Sequence, residues 1–176
     1  ITVVSSYTHA VKIEDEPILI GERINPTGKK KFKEALRNKD MEYILKEGIS
    51  QQEKGVHILD VNVGLPEIDE KAMICEALSG LQVVSDLPLQ IDTVDAEAME
   101  AAMRIYNGKP LVNSVNGNKE SMDNIFPLVK KYGGVLIALT MDHEGIPETA
   151  EGRLAIAERI VREAEKYGIS KKNIIA

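Results

Sequence analysis

Two polar residues in the middle of this sequence each follow directly on a short apolar run. Asp92 ends the run Leu89–Asp92, and Asn113 ends the run Leu111–Asn113. A carboxylate and an amide together offer hydrogen-bond acceptors and donors, which suits a flat heterocycle that presents both. Either residue alone is more often a helix cap or a turn residue, so their relative placement decides whether they form a site.

The segment between the two runs predicts a helix. Asp95 is placed to cap it and Gly108 to end it, and its apolar residues recur with helical spacing at Met99, Ala102, Met103 and Tyr106. Strand, helix and strand in succession form a right-handed unit with parallel strands. Because ligands bind at the C-terminal ends of parallel strands, we expect Asp92 and Asn113 to point into one site.

A second polar strand precedes this unit. In Val56–Val63, Asp60 and Asn62 alternate with apolar residues, so both side chains face the same way. In a closed barrel that side is the lumen, where a polar residue is costly unless it is hydrogen-bonded or binds something polar. Asn25 lies in the turn that follows an earlier apolar strand, Ile18–Ile24.

Composition excludes several classes of function. The chain has 176 residues with 43% hydrophobic and 28% charged residues, which is typical of one globular domain. A formal net charge of −6 argues against nucleic-acid binding. Cys75 stands alone, and the sequence shows neither a signal peptide nor a long apolar run, so we expect a cytoplasmic protein without membrane spans. His, Cys and carboxylate residues lack the spacing of a structural zinc site, so no bound metal is expected.

The order of elements predicts an α/β fold. Residues 1–16 are interpreted as a linker from a preceding domain. In residues 17–176 five strands alternate with helices, and Ile174 and Ile175 open a sixth strand. A doubly wound open sheet is one possible arrangement, but the first strand-to-helix turn has neither a G-x-G-x-x-G nor a P-loop pattern. A (β/α)8 barrel needs about 250 residues, so the alternative is a TIM-type barrel cut after about five β/α units.

Several motifs, in order along the chain, resemble one family. They are IGERINPTGKK at Ile20–Lys30, LDVNVG at Leu59–Gly64, IDT at Ile91–Thr93, VNS at Val112–Ser114 and TMDHEGIPET at Thr140–Thr149. Together they resemble the pterin-binding barrels. Within that group they are most similar to the methyltetrahydrofolate domain of cobalamin-dependent methionine synthases and related corrinoid methyltransferases.

The resemblance implies roles for five residues. Asp92 and Asn113 match the family's aspartate and asparagine that hydrogen-bond the pterin ring. Asn25 matches an asparagine that lines the same pocket, and Asp60 and Asn62 match the polar strand beneath it. A further pterin-binding aspartate and an asparagine near N5 of the folate are expected beyond residue 176. The residue that assists the chemistry is therefore not assigned, and the chain is expected to carry half of a pocket.

The activity that the resemblance implies is a methyl transfer in one-carbon metabolism and methionine biosynthesis. The domain would bind 5-methyltetrahydrofolate as substrate and pass its N5 methyl group to a reduced cobalamin or other corrinoid. That cofactor would be carried by a partner module or protein. A fused N-terminal homocysteine-binding barrel is a further expected partner, and the 176-residue piece alone is expected to be inactive.

Two alternatives stay open at this point. One is a pterin enzyme similar to dihydropteroate synthase, whose first strand usually continues as Asn-x-Thr-Pro-Asp-Ser-Phe. Here Asn25–Lys29 reads Asn-Pro-Thr-Gly-Lys instead. The other is a non-catalytic barrel fragment that serves as a binding or scaffold module. An incomplete barrel also has two unpaired strand edges, so we expect either self-association through these edges or completion of the barrel by a separate chain segment that carries the missing strands.

Overall fold

The structure, a computed structural model, describes residues 1–14 and 16–176. It begins with two short strands, β1 (Thr2–Ser5) and β2 (Ala10–Ile13). Alternating strands and helices follow, with two helices after the first of these strands and a short 3-10 helix before the last one. They are β3 (Ile20–Ile24), α1 (Lys30–Arg37), α2 (Met41–Glu53), β4 (Ile58–Val61), α3 (Glu70–Val84), β5 (Leu89–Asp92), α4 (Ala96–Ile105), β6 (Leu111–Asn116), α5 (Lys119–Tyr132), β7 (Val135–Leu139), α6 (Ala150–Lys166), the 3-10 helix (Lys171–Asn173) and β8 (Ile174–Ile175).

Strands β3 to β8 form one parallel sheet whose spatial order is the same as the chain order. A doubly wound sheet reverses its strand order at a switch point, and this sheet does not. Each crossover therefore advances by one strand in the same direction, which is how the wall of a (β/α)8 barrel is built. The predicted α/β barrel architecture is confirmed.

Strand register decides which side chains face the lumen. Asp60 pairs with Gln90, and Asp92 pairs with Asn113. Because paired residues of neighbouring strands point to the same face, these four side chains lie on one side of the sheet. The intervening apolar residues of the same strands point the other way and pack beneath the helices, among them Leu59, Val61, Leu89, Ile91 and Val112.

Side-chain caps fix the start of the helix that follows the central strand. The carboxylate of Asp95 accepts hydrogen bonds from the backbone N–H groups of Glu97 at 2.8 Å and Ala98 at 3.2 Å. These contacts satisfy donors that have no partner inside the helix. Asp95 is therefore the N-cap of α4, as the sequence predicts, and the β5–α4 turn is held close to Asp92.

The N-terminal segment folds into a hairpin that the sequence analysis did not predict. Strands β1 and β2 pair antiparallel within the region interpreted as a linker, of which Asp15 lies outside the described residues. Val4 and Val11 pack on the lumen side against Ile58, Leu111 and Val135. The hairpin thus covers the N-terminal end of the sheet and forms an apolar floor beneath the polar residues.

A buried tyrosine ties this hairpin to the barrel wall. The hydroxyl of Tyr106 donates to the carbonyl oxygen of Ser5 at 2.8 Å and accepts from the backbone N–H of Leu89 at 3.0 Å. The backbone groups of Ser5 and Lys109 also pair. Burial raises the pKa of the Tyr106 hydroxyl to about 12, so it stays a neutral donor at physiological pH.

The hairpin is predicted to contribute to the stability of the barrel. Val4 is fully buried, so Val4→Ala removes two methyl groups from the floor and should lower the free energy of unfolding by about 1 to 3 kcal/mol. Val83→Ala is the matched control, since that side chain is 84% exposed. Urea denaturation measures both changes. Equal, small effects of the two substitutions would show that the hairpin is a detachable linker.

The sheet edges lead to a second prediction. In the described part of the chain β3 and β8 each have one neighbouring strand, and Leu19 and Ile20 at the β3 edge are 56% and 40% exposed. Unpaired edges with apolar side chains favour pairing with another chain. The 176-residue polypeptide should therefore self-associate, and Ile20→Lys should weaken that association. Light scattering over a range of concentrations tests this, and a monomer at every concentration would contradict it.

Candidate functional site

Two amide–carboxylate pairs cross between β4 and β5 on the lumen side. Asn62, just past the end of β4, donates from Nδ2 to Oδ2 of Asp92 on β5 at 2.9 Å. In the opposite direction, Gln90 on β5 donates from Nε2 to Oδ1 of Asp60 on β4 at 2.5 Å. Because Asp60 and Gln90 are register partners, this pair lies one layer deeper in the lumen than the Asn62–Asp92 pair.

Asp60 is a buried carboxyl group in an unfavourable environment for its charge. The residue is 3% exposed. Burial, followed by repulsion from Asp92, raises the pKa of Asp60 to about 7, although the hydrogen bond from Gln90 favours the ionised form. Near neutral pH the protonated and ionised forms of this carboxyl group are therefore both populated.

Asp92 and Glu22 extend the negative charge toward the mouth of the lumen. Burial raises the pKa of Asp92, the hydrogen bond from Asn62 lowers it, and the charge of Glu22 raises it again. Lys29 balances part of this charge, because its Nζ lies 2.9 Å from Oε2 of Glu22 and 2.8 Å from that residue's carbonyl oxygen. The site is thus rich in acceptors, and the nearby ammonium group of Lys29 is already paired with Glu22.

A cavity opens beside these residues at the C-terminal ends of β4 and β5. Its volume is about 520 Å³, which is of the size that holds a small organic ligand. Its lining residues come from the loops after β3, β4 and β5, the last residue of β5 and the first turn of α3: Thr27, Asn62, Gly64, Leu65, Pro66, Ile68, Glu70, Asp92, Thr93, Val94 and Asp95. A neighbouring cavity of about 260 Å³ shares Thr93 and Val94 and adds Ser114 and Asn116 from β6.

The five predicted residues occupy the same end of the sheet but not one surface. Asn62 and Asp92 line the larger cavity. Asn113 is the register partner of Asp92 on the adjacent strand but is not a lining residue of either cavity, and Asp60 lies deeper in the lumen. Asn25 is buried, and its Oδ1 accepts the backbone N–H of Thr27 at 2.8 Å, so it shapes the turn that lines the cavity.

Three residues of this region were not identified from the sequence. Gln90 precedes Asp92 by two positions on one strand, so strand alternation could have identified it. Thr93 donates from Oγ1 to Oε1 of Glu70 at 2.5 Å and accepts the backbone N–H of Asp95 at 3.0 Å. Glu70 reaches the cavity from the first turn of α3, and its position in the sequence carries no signal for that contact.

Asp142, in the polar loop after β7, pairs with α6 and with the backbone of its own loop. Asp142 forms an ion pair with Arg159 of α6, and its Oδ1 accepts the backbone N–H of Glu144 at 3.0 Å. The hydrogen bond from Arg159, followed by that from the Glu144 backbone, lowers the pKa of Asp142. His57, at the other end of the sheet, accepts the backbone N–H of Leu19 at 2.9 Å through Nδ1 and is satisfied there.

Residues 1–14 and 16–176 contain neither a cluster of metal-binding side chains nor a membrane-spanning helix. In this part of the chain no group of three or more His, Cys, Asp or Glu residues is arranged to hold a metal ion. The same residues contain no helix whose length and apolar character would let it cross a bilayer.

Comparison with known proteins gives the site a family context. Residues 21–176 match the sequence profile of a family described as pterin binding enzyme. The chain is 31% identical to a methionine synthase of Mycobacterium tuberculosis over 181 residues, covering 99% of this chain and 15% of that protein. It is 33% identical to a methylcorrinoid:tetrahydrofolate methyltransferase of Eubacterium limosum, covering 89% of this chain and 58% of the relative. The chain thus spans only a minor part of the methionine synthases that it matches.

Solved structures agree on the fold. A 7,8-dihydropteroate synthase from Vibrio fischeri superposes with a TM-score of 0.70 over 99% of this chain and 65% of its own, at 18% identity. The dihydropteroate synthase of Yersinia pestis gives a TM-score of 0.72 over 98% of this chain and 62% of its own, at 14% identity. At these identities the likeness concerns the barrel architecture alone.

The raised pKa of Asp60 predicts how stability depends on pH. The folded pKa of about 7 exceeds the ordinary value of 3.8, so the folded state binds the proton more tightly than the unfolded state does. Stability from this group is therefore greatest at low pH and is lost as pH rises from about 4 to about 7.

Asp60→Asn removes that titration while keeping an acceptor for Gln90. Between about pH 5 and pH 8 the wild type should lose about 2 to 3 kcal/mol of unfolding free energy that the variant retains. Asp123→Asn on the exposed face of α5 is the control. Urea denaturation at both pH values measures the difference, and parallel pH dependences of Asp60→Asn and wild type would contradict the assignment.

Proposed function

The chain belongs to the pterin binding enzyme family, and from this membership we propose that it binds 5-methyltetrahydrofolate and positions it for methyl transfer. The acceptor of the N5 methyl group is a corrinoid carried by another module or protein. This proposal agrees with the printed names of the methionine synthase and methylcorrinoid:tetrahydrofolate methyltransferase relatives.

One observation supports the pterin proposal most directly. The amides of Asn62 and Gln90 both donate to carboxylates. The lumen therefore presents mainly the acceptor oxygens of Asp60 and Asp92. A reduced pterin carries an amino group and ring N–H groups along its edge, and these are hydrogen-bond donors. Preoriented carboxylates are therefore suitable partners, and a charge-assisted bond is stronger than a neutral one. Asn113, beside Asp92, adds an amide that can both donate and accept.

The chemistry asks mainly for orientation from this chain. N5 of methyltetrahydrofolate is a tertiary amine and a poor leaving group, so it must be protonated or strongly hydrogen-bonded when the methyl group departs. The corrinoid supplies the nucleophile when its module is bound. What residues 1–176 contribute is a fixed pterin plane and an electrostatic setting for it, which are recognised sources of rate enhancement.

The partners and location of the protein are part of the same proposal. A corrinoid-binding module would dock over the C-terminal ends of the strands, where the cavity opens. A homocysteine-binding barrel preceding residue 1 fits the relatives, of which this chain matches 15% of the length. The free thiol of Cys75 is consistent with a reducing, cytoplasmic setting.

The alternatives receive less support. The likeness to dihydropteroate synthases rests on structures below 25% identity, so it carries the fold and not the reaction. In the β3–α1 turn, Lys29 is engaged with Glu22 and Asn25 closes on Thr27, in the segment where the sequence departs from the synthase pattern. A scaffold role does not require carboxylates in the lumen, where burial makes their charge unfavourable.

A direct test separates these readings. The complete natural protein is titrated with 5-methyltetrahydrofolate by calorimetry, and its methyl transfer to a reduced corrinoid protein is followed by the absorbance of the corrinoid. Binding with transfer supports the proposal. Binding without transfer, together with condensation of a dihydropterin pyrophosphate and an aminobenzoate with release of pyrophosphate, would favour the synthase, and no pterin binding would leave the scaffold role.

Asp92→Asn should weaken folate binding while leaving the fold intact. The substitution removes one charge-assisted hydrogen bond to the ligand, worth about 1.5 to 3 kcal/mol, which is a loss in affinity of about 10- to 150-fold. Asp123→Asn, which changes an exposed carboxylate paired with Lys119, is the matched control. Calorimetric titration measures both variants. Equal affinities for Asp92→Asn and wild type would remove Asp92 from the binding site.

A further inference from the structure

Gln90 is a buried glutamine whose position the proposed pterin site does not by itself explain. It is 6% exposed and lies on the lumen face of β5, beneath Asp92 and beside Asp60. A buried amide needs partners for its polar atoms, and an apolar residue would fill the same space without that requirement. The contact that it makes is to a carboxylate, which itself is costly to bury.

We propose that Gln90 is a positioning residue for pterin binding, because its amide favours the ionised form of the Asp60 carboxylate and orients it as an acceptor in the lower layer of the lumen. Gln90 occupies Oδ1 of Asp60 at 2.5 Å. The other oxygen, Oδ2, is the atom that we assign to an N–H group of the ligand. This inference rests on the proposed function, and it adds a residue that acts through Asp60 and not on the reacting atoms.

The surroundings of Asp60 explain why such a residue is needed. Asp92 on β5 and Glu22 on β3 both repel a negative charge at Asp60, and burial disfavours it further. The charge of Lys29, from the turn after β3, favours ionised Asp60. Its effect on the pKa of Asp60 is the smallest of these, and its ammonium group is paired with Glu22. The hydrogen bond from Gln90 is the larger of the two favourable influences. Without it, the pKa of Asp60 would lie higher, and its protonated form, which offers a donor where the ligand also has one, would be more populated at neutral pH.

The Asn62–Asp92 contact supports this interpretation by repeating it. There too a neutral amide on one strand donates to a carboxylate on its neighbour, at 2.9 Å. The two pairs run in opposite directions across β4 and β5 at successive depths. Among residues 1–14 and 16–176, each of these two carboxylates accepts a side-chain hydrogen bond through one oxygen and keeps the other for a ligand, so the site can engage donors along the edge of a heterocycle at two levels.

The test compares the pH dependence of ligand binding in three proteins. Affinity for 5-methyltetrahydrofolate is measured by calorimetry from about pH 6 to pH 9 in wild type, Gln90→Leu and Gln90→Glu. Leucine removes the donor at nearly the same volume. Glutamate keeps the shape but places a further carboxyl group against Asp60, so the pair shares one proton. Titrations of the ligand itself are common to all three proteins and cancel in the comparison.

The acid limb of the affinity profile is the pH range in which affinity falls as pH is lowered. This limb should move to higher pH in the order wild type, Gln90→Leu, Gln90→Glu. Loss of one hydrogen bond to a charged group is expected to shift the limb by about one pH unit. Gln90→Leu should then bind about fivefold more weakly than wild type near pH 7 and almost equally near pH 9. A role in packing alone would lower affinity or stability without moving the limb.

Gln51→Leu is the matched control. Gln51 is 3% exposed, accepts the backbone N–H of Arg23 at 2.8 Å and donates to the carbonyl oxygen of Glu47 at 3.1 Å, on the helix side of the sheet. Its removal should cost stability and leave the limb in place. If wild type binds the folate but the limb is the same in Gln90→Leu, the inference is overturned and the proposed function stands. If wild type binds no folate at any pH, both are overturned.

Discussion

The cost of holding a carboxylate inside a parallel barrel is the constraint on which this structure depends. Asp60 loses its hydration and faces a second carboxylate across the strand boundary, and each effect disfavours its charge. Folding alone would be better served by an apolar residue at this position. In this fold Gln90 donates a hydrogen bond to Asp60, and Asn62 donates one to Asp92. These bonds fix the orientation of both carboxylates as acceptors.

The layers of the lumen divide stability from recognition. At the N-terminal end of the sheet, Ile58, Leu111 and Val135 form an apolar layer that the hairpin closes with Val4 and Val11. Above it come the carboxylates and amides, and above these the loops around the cavity. Because the floor is apolar and closed by the hairpin, water is kept from the lower side of Asp60, which strengthens every electrostatic interaction in the layer above. The hairpin therefore affects the polar layer through its environment, because it packs on the apolar layer beneath it.

Much of the fold follows from sequence periodicity, and the exceptions have physical causes. The strand containing Asp92 and the helix capped by Asp95 were predicted because their apolar spacing is regular. The hairpin was missed because its two four-residue strands gain their stability from packing on distant residues such as Ile58 and Leu111. Predicted strand ends ran long, as in Val56–Val63 against the observed Ile58–Val61, because the apolar pattern continues into flanking residues that lie outside the regular strand pairing, where single backbone hydrogen bonds from His57 and Asn62 still reach the β3 segment.

The candidate site shows the same division between what is local and what is not. Strand alternation places Asp60 and Asn62 on one face, and the parallel βαβ unit places Asp92 beside Asn113. The pKa of Asp60 depends on how near Asp92, Glu22 and Lys29 come from three separate segments, which no local pattern contains. Contacts between a helix and a strand, such as Glu70 with Thr93, are hidden from the sequence for the same reason.

The structural likeness to dihydropteroate synthases and the sequence similarity to methyltransferases do not conflict, because the first concerns the barrel wall and the second extends to the strand ends and loops. Dihydropteroate synthases share the barrel at under 25% identity, whereas the methyltransferase relatives share 31% to 33% of residues. A barrel wall can be retained while the reaction changes, because chemistry is set by side chains at the strand ends and by the loops beyond them. Here the β3–α1 turn is closed by Asn25 on Thr27 and by Lys29 on Glu22, which makes it part of the pocket wall. Under the proposed function, the strand ends of β4, β5 and β6 would recognise the pterin, and the module that approaches the open side of the cavity would determine the reaction.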